Sequence, residues 1–405
     1  MAILKKINFY NYKIIGDSAI LSITNYNNLL TYESHNNIMK ILYVLPYPKF
    51  FSQHKRVGGH IAHCIGILKA FKNKNYNIRF FSEEDDTLLN NLDIEIKTHK
   101  NNFKSFLGRQ FWILSFIKEL KKQVEDYNPD IIYMRYSTSF CFWYYFIDKA
   151  IGDTKIIIEI NSLGSQRIKS LSFFERKFLQ TASSTFAISP LLKNFISNNI
   201  GLTTNVITNG IDKDRIPGKL IKFDNNMQNN FKIVYAGLLK PKYGLEFIIK
   251  TTDDIRKEIP EVELVIYGDG PLLPILEKLI INRKWVRLAG PVDFNLIPEK
   301  LVSADLLLYP TSSFNQFGSP TKLLEYMAAA RPIVAAKTQQ TSTILKNGKL
   351  GYLFSLDNMD ELKQAVIKVY SDRDNANKMA LQARKEALEK HSWDSRLDMI
   401  LNTLQ

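Results

Sequence analysis

The segment Phe317-Gly318-Ser319-Pro320-Thr321-Lys322-Leu323-Leu324-Glu325-Tyr326-Met327-Ala328 gathers the groups that hold an anion. Ser319 suits a helix N-cap, and Pro320 suits the first helical position, where its missing N–H costs nothing. A helix starting there presents free N–H groups and the positive end of its dipole, and Lys322 adds a full charge within the first turn. A phosphate fits such a site. Glu325 follows Lys322 by three residues and so shares its face, with side chains leaning back toward the helix start. A carboxylate aimed at an anion has a purpose there if it accepts hydrogen bonds from vicinal hydroxyls, as on a ribose. The competing reading is a Lys322–Glu325 pair on a solvated surface.

Further glycine-rich turns accompany this segment. Gly237-Leu238-Leu239-Lys240-Pro241-Lys242-Tyr243-Gly244 follows an apolar run at 232–236, and Gly268-Asp269-Gly270-Pro271 follows another at 263–267. Each glycine alone is equally well read as a requirement of tight turn geometry. Leu273 occupies the place of the third glycine in G-x-G-x-x-G, which argues against a dehydrogenase. Nearer the start, Gly58-Gly59-His60 opens a helix with apolar positions Ile61, Ile65 and Leu68. Asp212-Lys213-Asp214 resembles a metal pair but lacks clustered partners, so no metal is expected. His54, His60 and His63 have no ligand-like spacing; His60, beside the glycine mouth, is the one singled out.

These residues need strands and helices to position them. Apolar runs at 41–45, 78–81, 131–133 and 156–160, closing at 206–207, alternate with helical patterns, as in a parallel α/β sheet. A polar, Asn-rich stretch at 222–230 precedes a second series at 232–236, 263–267, 286–288, 306–309 and 333–335. The expected organisation is an N-terminal extension over 1–38, a Rossmann-like domain over 39–210, and a linker over 211–230. A second Rossmann-like domain over 231–388 and a C-terminal helix over 389–405 complete it. The extension has no secretory pattern, and Met39, leading straight into a strand, reads as the natural start.

A helix over 103–122 is expected to pack through Phe103, Phe106, Leu107, Phe111, Leu114 and Ile117. Trp112 and Phe116 then fall on the opposite side near Arg109, where they would meet an anionic membrane surface or a lipid carrier, or be covered by a neighbouring helix.

Composition narrows the classes. The chain has 405 residues, 54 Lys+Arg against 40 Asp+Glu, and a formal net charge of +14. The first 210 residues hold most of the excess, with 26 basic against 16 acidic. No helix-turn-helix, zinc or RNA-binding motif accompanies that charge, so nucleic acid is not an expected partner. Two distant cysteines give no disulfide framework and point to a reducing compartment, the cytoplasm. No apolar run approaches the roughly 20 residues of a spanning helix.

From Met39 onward the chain resembles a retaining glycosyltransferase of family 4, with the two-Rossmann GT-B architecture facing a central cleft. The resemblance rests on Gly58-Gly59, Asp130-Ile131-Ile132-Tyr133-Met134-Arg135, Glu159-Ile160-Asn161, Asn209-Gly210-Ile211-Asp212, Gly268-Asp269-Gly270-Pro271, Gly290-Pro291-Val292 and Ser319-Pro320 through Ala328. It implies transfer of a sugar from a UDP- or GDP-sugar to a saccharide or lipid-linked acceptor, in surface polysaccharide biosynthesis at the inner face of the cytoplasmic membrane. It further implies catalytic roles for Glu325, Lys322 and Lys242. The donor would be held by Gly58, Gly59, Gly237, Lys240, Gly268, Gly270, Val292, Gly318, Ser319, Pro320 and Thr321. His60, Arg135 and Asn161 would lie on the acceptor side, and Arg109, Trp112 and Phe116 at the membrane. No metal or other cofactor is implied. Phe317 stands where the family's motif has its first glutamate, and Leu238 where a basic residue is common. The alternatives are a nucleotide-sugar 2-epimerase of the same fold and an inactive sugar-nucleotide binder.

Overall fold

The apolar runs form two parallel sheets, buried on both faces as helix crossovers require. The computed structural model describes residues 13–15, 18–20, 38–51, 59–101, 105–217, 230–311 and 319–404. The chain divides into two units, Met1–Ile38 and Met39–Gln405. In the first, Lys13–Ile15 pairs antiparallel with Ser18–Ile20.

The second unit has two lobes. The first-lobe strands are β1 (Lys40–Leu45), β2 (Asn77–Ser82), β3 (Glu95–Thr98), β4 (Ile131–Arg135), β5 (Lys155–Ile160), β6 (Ser184–Ala187) and β7 (Asn205–Val206), in the order β3-β2-β1-β4-β5-β6-β7. The second-lobe strands are β8 (Phe231–Ala236), β9 (Val262–Tyr267), β10 (Val286–Gly290), β11 (Leu306–Tyr309), β12 (Ile333–Ala336) and β13 (Tyr352–Phe354), in the order β10-β9-β8-β11-β12-β13. Each order reverses once, between β1 and β4 and between β8 and β11. Ligands of doubly wound sheets bind outside the carboxyl ends at such reversals. The glycine turns and the Ser319 segment lie at these ends.

The chain crosses between lobes twice. After β7 it passes through residues 209–212 into the second lobe, and helix Trp393–Leu401 returns to pack on helix α1 (Gly59–Asn73) of the first. Trp393, Leu397 and Ile400 share a core with Ile41, Tyr43 and Ile67. The crossings are bonded together: Ile211 N–H donates to the His391 carbonyl (2.8 Å) and Trp393 N–H to the Ile211 carbonyl (3.2 Å). A Cβ at Gly66 would lie 2.0 Å from Trp393 Nε1, so only glycine lets the indole seat on α1.

The helix expected at 103–122 is α2 (Phe106–Tyr127), rotated from the expected face. Trp112 and Phe116 are 1% and 0% exposed, whereas Leu107 and Phe111 are exposed. Phe116 stacks on Phe81 of β2 at 4.4 Å, and Trp112 Nε1 donates to the His99 carbonyl at 3.1 Å. Two apolar stripes compete on α2, and the sheet selects the one with the larger rings. Trp112 and Phe116 therefore cannot reach a membrane; Phe103 lies outside the described residues. Cys64 and Cys141 are buried free thiols, and among the described residues no helix is long and apolar enough to cross a membrane.

Candidate functional site

Helix α3 (Thr321–Ala328) begins just beyond the carboxyl end of β11. Ser319 does not cap it as expected: Pro320 is the N-cap residue, with no side-chain cap bond, and the Thr321 and Leu323 N–H groups donate to the Ser319 and Pro320 carbonyls, both at 2.9 Å. The Ser319 hydroxyl instead accepts a hydrogen bond from Asn209 N–H, at 2.9 Å, across the lobes. Tyr326 fixes the helix to the sheet, its hydroxyl accepting from Ala236 N–H at 2.9 Å.

Lys322 and Glu325 diverge rather than pair. Lys322 Nζ donates to the Tyr235 hydroxyl at 2.8 Å and lies over the rings of Tyr235 (4.1 Å) and Tyr243 (4.7 Å). Among the described residues no carboxylate lies within ion-pair distance of this ammonium. Lost hydration lowers its pKa to about 7, against a smaller upward pull from Glu325. The ammonium sits directly on the Gly237 turn, where a Cβ would fall 2.2 Å from Nζ. Lys322 thus supplies a cation at the turn where Leu238 does not, while Lys240 is exposed. Lys242 belongs to the turn Pro241–Tyr243. Its side chain lies outside the described structure, as do Gly58, Phe317 and Gly318.

Glu325 points to the hinge. Its Oε1 lies 3.4 Å from an Arg215 guanidinium nitrogen; Arg215 also donates to the Phe294 carbonyl at 2.6 Å and covers the Phe294 ring at 3.3 Å. Burial raises the Glu325 pKa, and Arg215 and Lys322 offset part of that. The carboxylate is also one wall of a small cavity with Ile211, Pro217, Ile297 and Ala328.

The glycine turns close the floor. Gly237 N–H donates to the Tyr267 carbonyl and Gly268 N–H to the Gly290 carbonyl, stacking the turns after β8, β9 and β10. At Gly268, φ is +145° and a Cβ would lie 1.8 Å from the Gly237 carbonyl oxygen, so this position admits no side chain. Gly270 packs similarly against Leu239. Val292 follows β10, half-buried.

Across the lobes, Gly59 opens α1, and Arg135 and Asn161 converge on Glu159 at the end of β5, while His60 meets this group only through its backbone carbonyl and turns its ring edge-on to Phe50. Asn161 Nδ2 donates to Glu159 Oε1 (2.8 Å), Arg135 Nε lies 3.8 Å from the same oxygen, and an Arg135 NH₂ group donates to the His60 carbonyl (3.2 Å). Tyr133 OH donates to Glu159 Oε2 at 2.6 Å, and His63 Nε2 lies 2.7 Å from it. Arg135 is buried beside this carboxylate. Burial alone would raise the Glu159 pKa, but His63, Arg135 and Tyr133 outweigh it and hold it at about 2.

Sequence reasoning chose His60 among the histidines, but His63 is the one at the lobe junction, 2.9 Å from the Asn209 side-chain oxygen. Glu159 and Asn209 stood inside quoted motifs without roles, and Arg215 carried no signal. Lys69 Nζ lies 2.7 Å from Asp212 and 3.8 Å from Asp214.

Known proteins share this architecture. Residues 57–215 match the profile of Glycosyltransferase Family 4 and residues 230–372 that of Glycosyl transferases group 1, one per lobe. An uncharacterized glycosyltransferase of Methanocaldococcus jannaschii is 26% identical over 57% of this chain, and the match spans 62% of that protein. A second from the same organism is 24% identical over 88% of this chain and 95% of its own. Among solved structures, HepE of Anabaena in complex with UDP superposes with a TM-score of 0.70, at 19% identity, covering 90% of this chain and 99% of that one. With both lobes matched in sequence and the whole two-lobed frame matched in space, this chain belongs to the family 4 glycosyltransferases of GT-B architecture.

Proposed function

We propose that the protein transfers a sugar, with retained configuration, from a UDP- or GDP-sugar to a saccharide or lipid-linked acceptor in surface polysaccharide assembly. The observation that carries this is the start of α3, where Lys322, in the first helical turn, sets its ammonium on the Gly237 turn and the Ser319 and Thr321 hydroxyls lie at the same positive end of the helix dipole. The donor's diphosphate lies there, and Glu325, released from Arg215, takes the ribose hydroxyls. The UDP in the HepE complex supports a uridine donor. The acceptor oxygen attacks the anomeric carbon from the face the diphosphate leaves. The carbon–phosphate-oxygen bond breaks, and the acceptor proton passes to the departing oxygen. Lys322 and the helix N-terminus stabilise the charge on that leaving group.

The test follows free nucleotide from a panel of UDP- and GDP-sugars with and without acceptor oligosaccharide, in EDTA. Acceptor-dependent release of nucleoside diphosphate is expected. Sugar isomerisation without release would identify an epimerase, and binding without either reaction an inactive relative.

An acceptor on a lipid requires a face for the bilayer, and the buried Trp112 and Phe116 do not provide it. The exposed rings of Phe111, Phe142, Tyr145, Phe146 and Phe173 do. They are linked through Trp143 Nε1 to Gln110 (3.1 Å) and by Phe142 and Phe173 against Phe174 (4.8 and 5.5 Å). Lys149 lies over the Tyr145 ring at 4.5 Å, and Arg109, Arg167 and Lys169 are exposed on the same lobe, basic charge of the kind that supports an anionic lipid contact. Wild-type protein should co-sediment with phosphatidylglycerol-containing vesicles and be released by salt, and Phe111→Ser/Phe146→Ser/Phe173→Ser should abolish binding. Equal sedimentation of the triple variant would remove this face as the contact.

A further inference from the structure

Asn209 touches three side chains from two lobes. Its backbone N–H donates to Ser319 Oγ (2.9 Å), its Nδ2 donates to Thr321 Oγ1 (3.0 Å), and its Oδ1 lies 2.9 Å from His63 Nδ1. His63 is in turn held by Glu159 at 2.7 Å and by the Trp393 ring, edge-on at 4.6 Å. Trp393 leaves no room on the other side, since a Cβ at Gly210 would lie 2.8 Å from it. The Asn209 amide is therefore clamped from the first lobe while both of its N–H groups act on the second.

A hydroxyl that accepts a hydrogen bond keeps its own proton for another partner. Both hydroxyls at the start of α3 accept from Asn209, and among the described residues neither O–H proton is given to another group. We propose that Asn209 is a positioning residue of the donor site: it occupies one lone pair on each of the Ser319 and Thr321 hydroxyls and so orients them to donate both O–H protons to the nucleotide's diphosphate. This rests on the reading of α3 as the donor site. It also gives the first lobe a physical hold on that site, because the His63–Glu159 pair fixes the amide that orients the hydroxyls.

The two links have different chemistry, and that makes the proposal testable. Asn209→Ala removes the link to Thr321 but leaves the backbone link to Ser319. Affinity for UDP, with GDP as a second probe, is measured by calorimetry. Thr321→Val should weaken binding about tenfold in the wild-type background, as loss of a hydrogen bond to a charged group does. The same change should have less than about a twofold effect once Asn209 is alanine, because the lost contact is shared. Ser319→Ala should cost about tenfold in both backgrounds. Asn209→Asp keeps the size and the His63 contact but captures the Thr321 proton, so it should bind as weakly as Thr321→Val even with unchanged thermal stability.

An undiminished Thr321→Val effect in the Asn209→Ala background, or wild-type binding by Asn209→Asp, overturns the assignment. Lys322→Ala separates the two levels. If it loses nucleotide while the cycle is multiplicative, Asn209 alone is wrong. If it binds both nucleotides as wild type does, or wild type binds neither, the donor-site reading falls and takes this inference with it.

Discussion

Replacing Lys322 by alanine should lower kcat for sugar transfer by about 10²–10³-fold, the range seen when one preorganised donor to a developing negative charge is removed. The melting temperature should stay within a few degrees of wild type. The ammonium rests on two tyrosine rings and a hydroxyl rather than on a carboxylate, so its loss strands no buried charge. Its pKa of about 7, lowered by burial, adds a pH signature. Below pH 7 the group is already charged. Above it, a binding diphosphate must draw a proton onto Lys322, because the anion favours the charged form. Nucleotide affinity should therefore fall as pH rises above about 7, with proton uptake visible as a dependence of binding heat on the buffer's ionisation enthalpy. Lys322→Ala should lose both signals. Wild-type turnover, or an unchanged pH profile in the variant, would remove Lys322 from the site.

Glu159→Ala should lower the melting temperature of the first lobe by about 10 °C, the equivalent of about 3–5 kcal/mol. The carboxylate is fully buried and is the shared partner of His63, Arg135, Tyr133 and Asn161, so its removal leaves a guanidinium and an imidazole facing an empty space. The pH dependence follows from its depressed pKa, about 2 in place of the ordinary 4.5. A carboxyl held low in the folded state contributes stability in full above about pH 4.5, and that contribution is lost as pH falls toward 2. Between those values wild-type protein should lose stability faster than Glu159→Gln, which has no such proton to take up. Thermal unfolding followed by circular dichroism across pH 3–7 measures both effects. Parallel curves for the two proteins would show that Glu159 is not the charged centre of this cluster.

The fold was legible wherever apolar runs were uninterrupted. In the two lobes the missed strands are β3, β6 and β13. The first, Glu95-Ile96-Lys97-Thr98, is an edge strand whose charges protect it from further pairing and erase its apolar signal. The face of α2 was misread for a different reason: both of its sides carry large apolar residues, so periodicity has two solutions and only contact with Phe81 and His99 chooses between them. At the site, the start of α3 was readable because Pro320, Lys322 and Glu325 act within one turn. What Ser319 does was not, since its partner lies at residue 209 and no local rule links the two. Arg215 and His63 were invisible for the same reason: their partners Glu325, Asn209 and Glu159 are distant in the chain.

The return of helix Trp393–Leu401 to the first lobe affects how the protein is made. Ile41, Tyr43 and Ile67 are synthesised before the second sheet, yet the residues that finish their core, Trp393, Leu397 and Ile400, are synthesised only after it. During translation the first lobe exposes the Gly66 face of α1 until the second lobe has been built. A lobe begun before the second sheet and finished after it ties maturation of the first lobe to a folded second lobe, since helix α1 receives this cover only from a chain that has already traversed the second sheet.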